Sequence, residues 1–297
     1  MLQMRFSLRW LDIASRGCYK TSMKRREFLR TTLTVSTLAG LSGSSLTSRA
    51  AEMPGGSREI YELRQYRLKD GASHEVLDAY LEKAAIPAWN RLGCKPIGIF
   101  GQLERKAKPA ATEAVDPLSI FVLIPYPSFE AFGSAAARLA ADREYQAAGA
   151  PYLDAPKSAP AYDRFDSWLM LAFAGMPKLE QPGFSKDRKP RMFEMRTYES
   201  HSEAKALKKV EMFNAGEIQT MREVGLAPIF YGQGLIGGNL PHLTYLLSGE
   251  SEEAHAKQFV DFGKHPVWNK LKNDPQYADT VSKIVIRFLE PKPYSQI

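Results

Sequence analysis

The chain has 297 residues, 44% hydrophobic and 25% charged, the composition of a globular protein long enough for two domains with separate cores. Of its 40 Lys and Arg, nine fall in residues 1–50 with only two of the 33 Asp and Glu, so the net charge of +7 lies there and the other 31 bases and 31 acids balance. A neutral main body lacks the basic face that phosphate backbones require, which excludes nucleic acid as a partner.

In chain order the first feature is a leader. Lys24-Arg25-Arg26-Glu27-Phe28-Leu29-Arg30 puts an adjacent arginine pair, Arg25 and Arg26, ahead of a mildly apolar stretch from Thr31 to Leu41. Ser48-Arg49-Ala50 then offers small residues for cleavage before Ala51. Charged start, short apolar run and small-residue exit describe a twin-arginine export signal over residues 1–50. The expected partner is therefore the twin-arginine machinery, and the expected location is periplasmic or extracellular. The apolar stretch is well short of the roughly 20 residues that span a bilayer, so no stable membrane anchor is expected. Met23 is an alternative start, which would leave residues 1–22 untranslated. Cys94 is the one cysteine left after cleavage, so the fold is expected to stand without a disulfide.

Beyond the leader the chain repeats. Tyr61-Glu62-Leu63-Arg64-Gln65-Tyr66 returns as Phe193-Glu194-Met195-Arg196-Thr197-Tyr198. Leu92-Gly93-Cys94-Lys95-Pro96-Ile97 returns at the same spacing as Val224-Gly225-Leu226-Ala227-Pro228-Ile229. A unit this long is a domain, not a solenoid repeat. In the first unit, Ile60 to Leu68 alternates as a strand, with Tyr61 and Leu63 on one face and Glu62, Arg64 and Tyr66 on the other. Val76, Leu77, Tyr80, Leu81, Ala84 and Ala85 recur at helical spacing. Pro96 to Leu103 is a second strand, and the apolar run Ile120 to Ile124 a central one. Phe129 to Gln146 predicts an Ala-rich helix, and Trp168 to Phe173 a closing strand. The second unit repeats the order over Arg191–Tyr198, Leu207–Val224, Pro228–Leu235, Leu243–Leu247, Glu252–Leu271 and Lys283–Leu289. The result is an α+β chain of two tandem ferredoxin-like βαββαβ domains, 58–175 and 191–291, joined by a proline-rich linker over 176–190.

The aromatic-Glu-Leu/Met-Arg-x-Tyr strand, the helix ending in Gly, and the Gly101-Gln102 and Gly232-Gln233 strands resemble the NIPSNAP family. Phe262-Gly263-Lys264-His265-Pro266-Val267-Trp268 is similar to its late-helix motif. The resemblance implies a dimeric α/β barrel, here closed as a pseudo-dimer by one chain, in a superfamily that includes cofactor-free monooxygenases, haem enzymes and proteins with no known activity. It supplies no catalytic residues to carry over.

Two sets of residues stand out. Glu62, Arg64 and Tyr66, with Glu194, Arg196 and Tyr198, are expected to point into the barrel, as an oxyanion and proton-donor site or as structural ion pairs. His265 and Trp268 are single-copy, since Asp142 and Tyr145 hold the matching places. They form either a site peculiar to the second unit or an ordinary helix end. No H-x-x-x-H, C-x-x-C or Gly-x-Ser-x-Gly occurs, and Gly234-Leu235-Ile236-Gly237-Gly238 lacks dinucleotide-binding spacing, so neither a metal nor another cofactor is expected. Three readings stay open: a barrel that binds a small apolar or aromatic molecule, an envelope protein acting through protein contacts, and a cofactor-free monooxygenase-like enzyme. Tyr80, Trp89, Phe121, Phe230 and Tyr245 supply aromatic surface for the first. A homo-oligomer is compatible with all three.

Overall fold

In the computed structural model, which describes residues 57–69, 71–105 and 109–297, the alternating segments form eight strands. They are β1 (Ile60–Arg67), β2 (Gly98–Gln102), β3 (Ser119–Tyr126), β4 (Arg164–Ala172), β5 (Met192–Glu199), β6 (Ala227–Ile236), β7 (His242–Gly249) and β8 (Lys283–Pro291). All pair antiparallel, and the sheet closes into a barrel in the order β1-β3-β2-β8-β5-β7-β6-β4. Each half contributes four strands in the same internal order, β4-β1-β3-β2 and β8-β5-β7-β6, and the halves meet at β2–β8 and β4–β6. The leader, with Arg25, Arg26 and the expected junction at Ala51, lies outside the described residues. No helix among the described residues is long and apolar enough to cross a membrane.

The helices match between halves down to their irregularities. After β1, α1 (Gly71–Tyr80) runs into α2 (Ile86–Arg91) through a π-turn at Leu81–Ala85. After β5, α6 (Glu203–Met212) runs into α7 (Ile218–Glu223) through a π-turn at Phe213–Glu217. The causes differ. Pro87 has no N–H to donate to the preceding turn, whereas Gly216 takes φ 148°, a conformation that side chains rarely adopt.

The helices expected over Phe129–Gln146 and Glu252–Leu271 are each broken in two. They are α3 (Phe129–Ala141) and α4 (Arg143–Leu153), then α8 (Glu252–Lys264) and α9 (Pro266–Lys272). Asp142 leaves the helical region (ψ 105°) and its carboxylate caps α4 by accepting from Tyr145 N. His265 does the same for α9 (ψ 132°), and Pro266 disfavours a helical residue before it. Periodicity alone did not show these breaks, because a cap residue in mid-pattern leaves the apolar spacing intact. Within 176–190 there is one further helical turn, α5 (Gly183–Lys186).

The sidedness of the strands reverses the expectation. Tyr61, Leu63, Phe121, Leu123, Phe193, Met195, Phe230 and Leu246 form one buried cluster that draws on both halves, and this fills the lumen. Glu62, Arg64 and Tyr66, and likewise Glu194, Arg196 and Tyr198, face outward beneath the helices. An eight-stranded barrel is only wide enough for its own side chains to fill, so the bulky apolar set takes the lumen. The outer face is not solvated either. Ile60, Tyr66, Ile120, Val122 and Ile124 pack there against Leu77, Leu81 and Trp89. Alternation here marks two buried layers, and all eight residues of β3 are buried.

Candidate functional site

Glu62 and Arg64 sit at successive outward positions of β1, so the two side chains lie side by side under the first-half helices. Arg64 donates from Nε to Glu62 Oε1 at 2.6 Å and from Nη2 to Oε2 at 3.0 Å, a bidentate pair. Tyr126 from β3 donates to Glu62 Oε2 at 3.0 Å, and Ser167 from β4 donates to Oε1 at 2.9 Å. Each carboxylate oxygen thus accepts twice, which offsets the cost of burying the charge. Burial opposes the charge on Arg64, but Tyr66 and Glu62 more than compensate and hold its pKa well above the ordinary value. The guanidinium also lies 5.5 Å from the Trp89 ring and 5.4 Å from that of Phe165.

Above this floor opens a cleft of about 530 Å³, lined by Glu62, Arg64, Tyr80, Trp89, Tyr126 and Tyr145 below and by the alanines of α3 above. Its tyrosines are held in the phenol form: burial raises the pKa of Tyr80 and Tyr126 beyond the usual range, and that of Tyr145 in the same direction. Tyr80 and Tyr145 share a hydrogen bond of 2.8 Å. The indole Nε1 of Trp89 is buried without a partner in the protein, a free donor beside the guanidinium.

The second half repeats the pair with different partners. Arg196 Nε donates to Glu194 Oε1 at 2.5 Å, and the third group on the carboxylate is His255 Nε2, 2.7 Å from Oε2. His255 comes from α8, not from a strand. The strand position that matches Tyr126 is Gly249, and a Cβ there would fall 2.9 Å from His255 Cβ. The imidazole therefore fills the space that the tyrosine occupies in the other half. One turn further on, Phe259 lies 4.2 Å over the Arg196 guanidinium, where α3 carries the exposed Ala136. Burial would raise the pKa of Glu194, but the hydrogen bond from His255 and the charge of Arg196 hold it below the ordinary 4.5.

His265 and Trp268 do not join either carboxylate. His265 Nδ1 accepts from Val267 N at 3.3 Å as the cap of α9, and its Nε2 lies 3.2 Å from Glu223. Its counterpart Asp142 is also a cap. Trp268 packs on Phe262 and stands 5.4 Å from the Lys209 ammonium, which is buried in a pair with Glu217 at 2.8 Å. Sequence reading did not link Tyr126, Ser167 and His255 to the carboxylates, because each reaches its partner from another element. The one available signal was the contrast between Ala135-Ala136 and Gln258-Phe259 at matched helix positions.

Comparison with known proteins identifies a NIPSNAP domain over residues 193–296. Among solved structures the chain is similar to a protein named as a monooxygenase from Lactobacillus acidophilus, at 10% identity over 79% of this chain and 94% of that one, TM-score 0.48. It is also similar to a NIPSNAP-like domain protein from Burkholderia xenovorans, at 22% identity over 35% of this chain and 88% of that one, TM-score 0.32. A NIPSNAP family protein of Agrobacterium tumefaciens aligns at 14% identity over 35% and 88%, TM-score 0.31. No curated protein matches.

Proposed function

We propose, from the premise that residues 193–296 are a NIPSNAP domain, that the first half is a divergent copy of it specialised to bind a small uncharged aromatic molecule. The observation that carries this reading is the cleft of about 530 Å³ over Glu62 and Arg64, at the place where Phe259 covers Arg196 in the other half. That volume falls in the range of small-molecule sites. Glu62 and Arg64 neutralise each other, so the cleft has no net charge to offer an ion. It offers instead aromatic walls and the unpartnered donor of Trp89, which suits a ring bearing a carbonyl or hydroxyl oxygen. Reaction chemistry would need a base to ionise the ligand, and both oxygens of Glu62 are committed to Arg64, Tyr126 and Ser167. The reading therefore stops at binding.

Titration with 1-naphthol tests it. Wild type is expected to show saturable quenching of tryptophan fluorescence, Ala136→Phe to lose it without loss of fold, and Val260→Ala on the far half to keep it. Binding unchanged by Ala136→Phe would remove the cleft from the account.

The tandem arrangement, 58–175 and 191–291 as ferredoxin-like domains around the 176–190 linker, is part of the same proposal. It is supported by the shared strand order, the paired π-turns and the matched helix breaks. So is export: Arg25→Lys with Arg26→Lys is expected to retain the protein in the cytoplasm, and normal export of that variant would contradict the leader assignment.

A further inference from the structure

The lumen is not filled uniformly. At one mouth of the barrel the apolar cluster gives way to Thr197 on β5, His242 and Thr244 on β7, and Arg287 on β8, which with Trp168 line a cavity of about 60 Å³. The place is distinct from the cleft under the first-half helices, since these side chains occupy the inward positions of their strands, with Thr197 opposite Thr244 on one side and Val285 on the other.

His242 is the anomalous group here. It is 3% exposed, and its Nε2 has no hydrogen-bond partner in the protein. Nδ1 lies 3.5 Å from Thr244 Oγ1, which shares a 2.9 Å hydrogen bond with Thr197 Oγ1. Leaving a buried polar group unmatched carries a desolvation cost, which a bound hydroxyl offsets. The charged groups at this mouth are already matched: Arg287 donates to Glu113 at 2.6 Å and Lys283 to Glu199 at 3.2 Å. Burial, partly offset by Glu199, lowers the pKa of His242, so the imidazole adds no charge.

The cover of the mouth is the β6–β7 hairpin. Trp168 Nε1 donates to Gly238 O at 3.2 Å, and a Cβ on Gly237 would stand 2.4 Å from the Trp168 ring. Gly237 has φ 136° and Asn239 φ 59°, so this close approach needs the glycine. Ile236 and Leu240 flank the tip and are 64% and 43% exposed. The glycine-rich stretch that lacks dinucleotide spacing thus has a physical use as a thin lid on an indole.

We propose that this mouth is a second binding site, for a small uncharged alcohol or polyol seated against His242 under the Gly237-Gly238 lid. A hydroxyl both donates and accepts, so it matches Nε2 in either imidazole tautomer. An anion or a cation would have to displace one of the two ion pairs. The volume corresponds to about four to six water-sized places, which limits the buried part to a few non-hydrogen atoms. Trp168, Phe121 and Val285 supply the apolar side for the carbon skeleton.

The experiment uses glycerol as the probe and the full chain, with imidazole nitrogens followed by nitrogen-15 NMR. A saturable shift of the His242 Nε2 resonance is expected, with His201 and His265 unchanged. Thr244→Leu, which fills the cavity and leaves His242 in place, is expected to weaken the saturable response at least tenfold. Gly237→Ala, which pushes the lid off Trp168, is expected to change its midpoint. A shift that grows linearly without saturation, or one equal at all histidines, is a solvent effect and overturns the proposal. So does a saturable shift that survives Thr244→Leu.

Discussion

Glu62 and Glu194 hold the same place in the two halves and are satisfied by different means. Both take an arginine two residues on. The first then draws its donors from neighbouring strands, Tyr126 and Ser167, and the second from a helix, His255. The exchange follows from one position, Tyr126 against Gly249. Where the strand carries the phenol, α3 need not approach and can be built of alanine. Where it carries glycine, the helix must supply both the hydrogen bond and the filling, which it does with His255 and Phe259. The same carboxylate–arginine pair is thereby covered by a phenylalanine in one half and bordered by a cleft in the other.

The largest expected effect tests whether both ion pairs are structural. Arg196→Met leaves the buried Glu194 with His255 as its remaining side-chain partner and is expected to cost about 3–5 kcal/mol in chemical denaturation. Arg64→Met is expected to cost less, because Glu62 keeps two donors, Tyr126 and Ser167, and borders the cleft. Adding Glu194→Gln to Arg196→Met should restore much of the loss, and the double-mutant cycle gives the coupling. Equal losses in the two halves would contradict the open and closed distinction.

Acid titration gives the next effect. The folded pKa of Glu194 lies below its ordinary 4.5, with burial opposed by His255 and Arg196. Its contribution is fully present above 4.5 and is lost as pH falls through the folded value. His255→Phe removes the main lowering interaction, so the stability gap between wild type and variant should narrow below pH 4.5. A gap that widens on acidification would reverse the assignment. His242 acts in the same direction in a higher window: its folded pKa is depressed below 6.5, so neutral His242 favours the fold and stability should decline as pH falls from there. His242→Gln is expected to flatten that part of the profile.

The smallest effect concerns what the halves still share. Ser128 and Ser251 cap α3 and α8 through the same 3.1 Å bond to the third residue on. Ser128→Ala and Ser251→Ala should each cost about 1 kcal/mol, and similar amounts. Thermal melts that differ strongly between them would mean that the helix over the cleft is held differently from its twin.

Much of this was legible in the chain. The order of elements and the pairing of Glu62 with Arg64 and Glu194 with Arg196 follow from periodicity and from the need to match a buried charge. The boundary at Asp142 was carried by a residue type that caps helices, yet an unbroken apolar spacing concealed it. Which strand face fills the lumen was settled only by closure. A period-two pattern separates two faces without saying which is inside, and here both are buried. The tertiary structure also decided who completes each carboxylate. Tyr126, Ser167 and His255 stand 64, 105 and 61 residues from the groups they meet, and no local pattern encodes an encounter that only the closed barrel and its packed helices bring about.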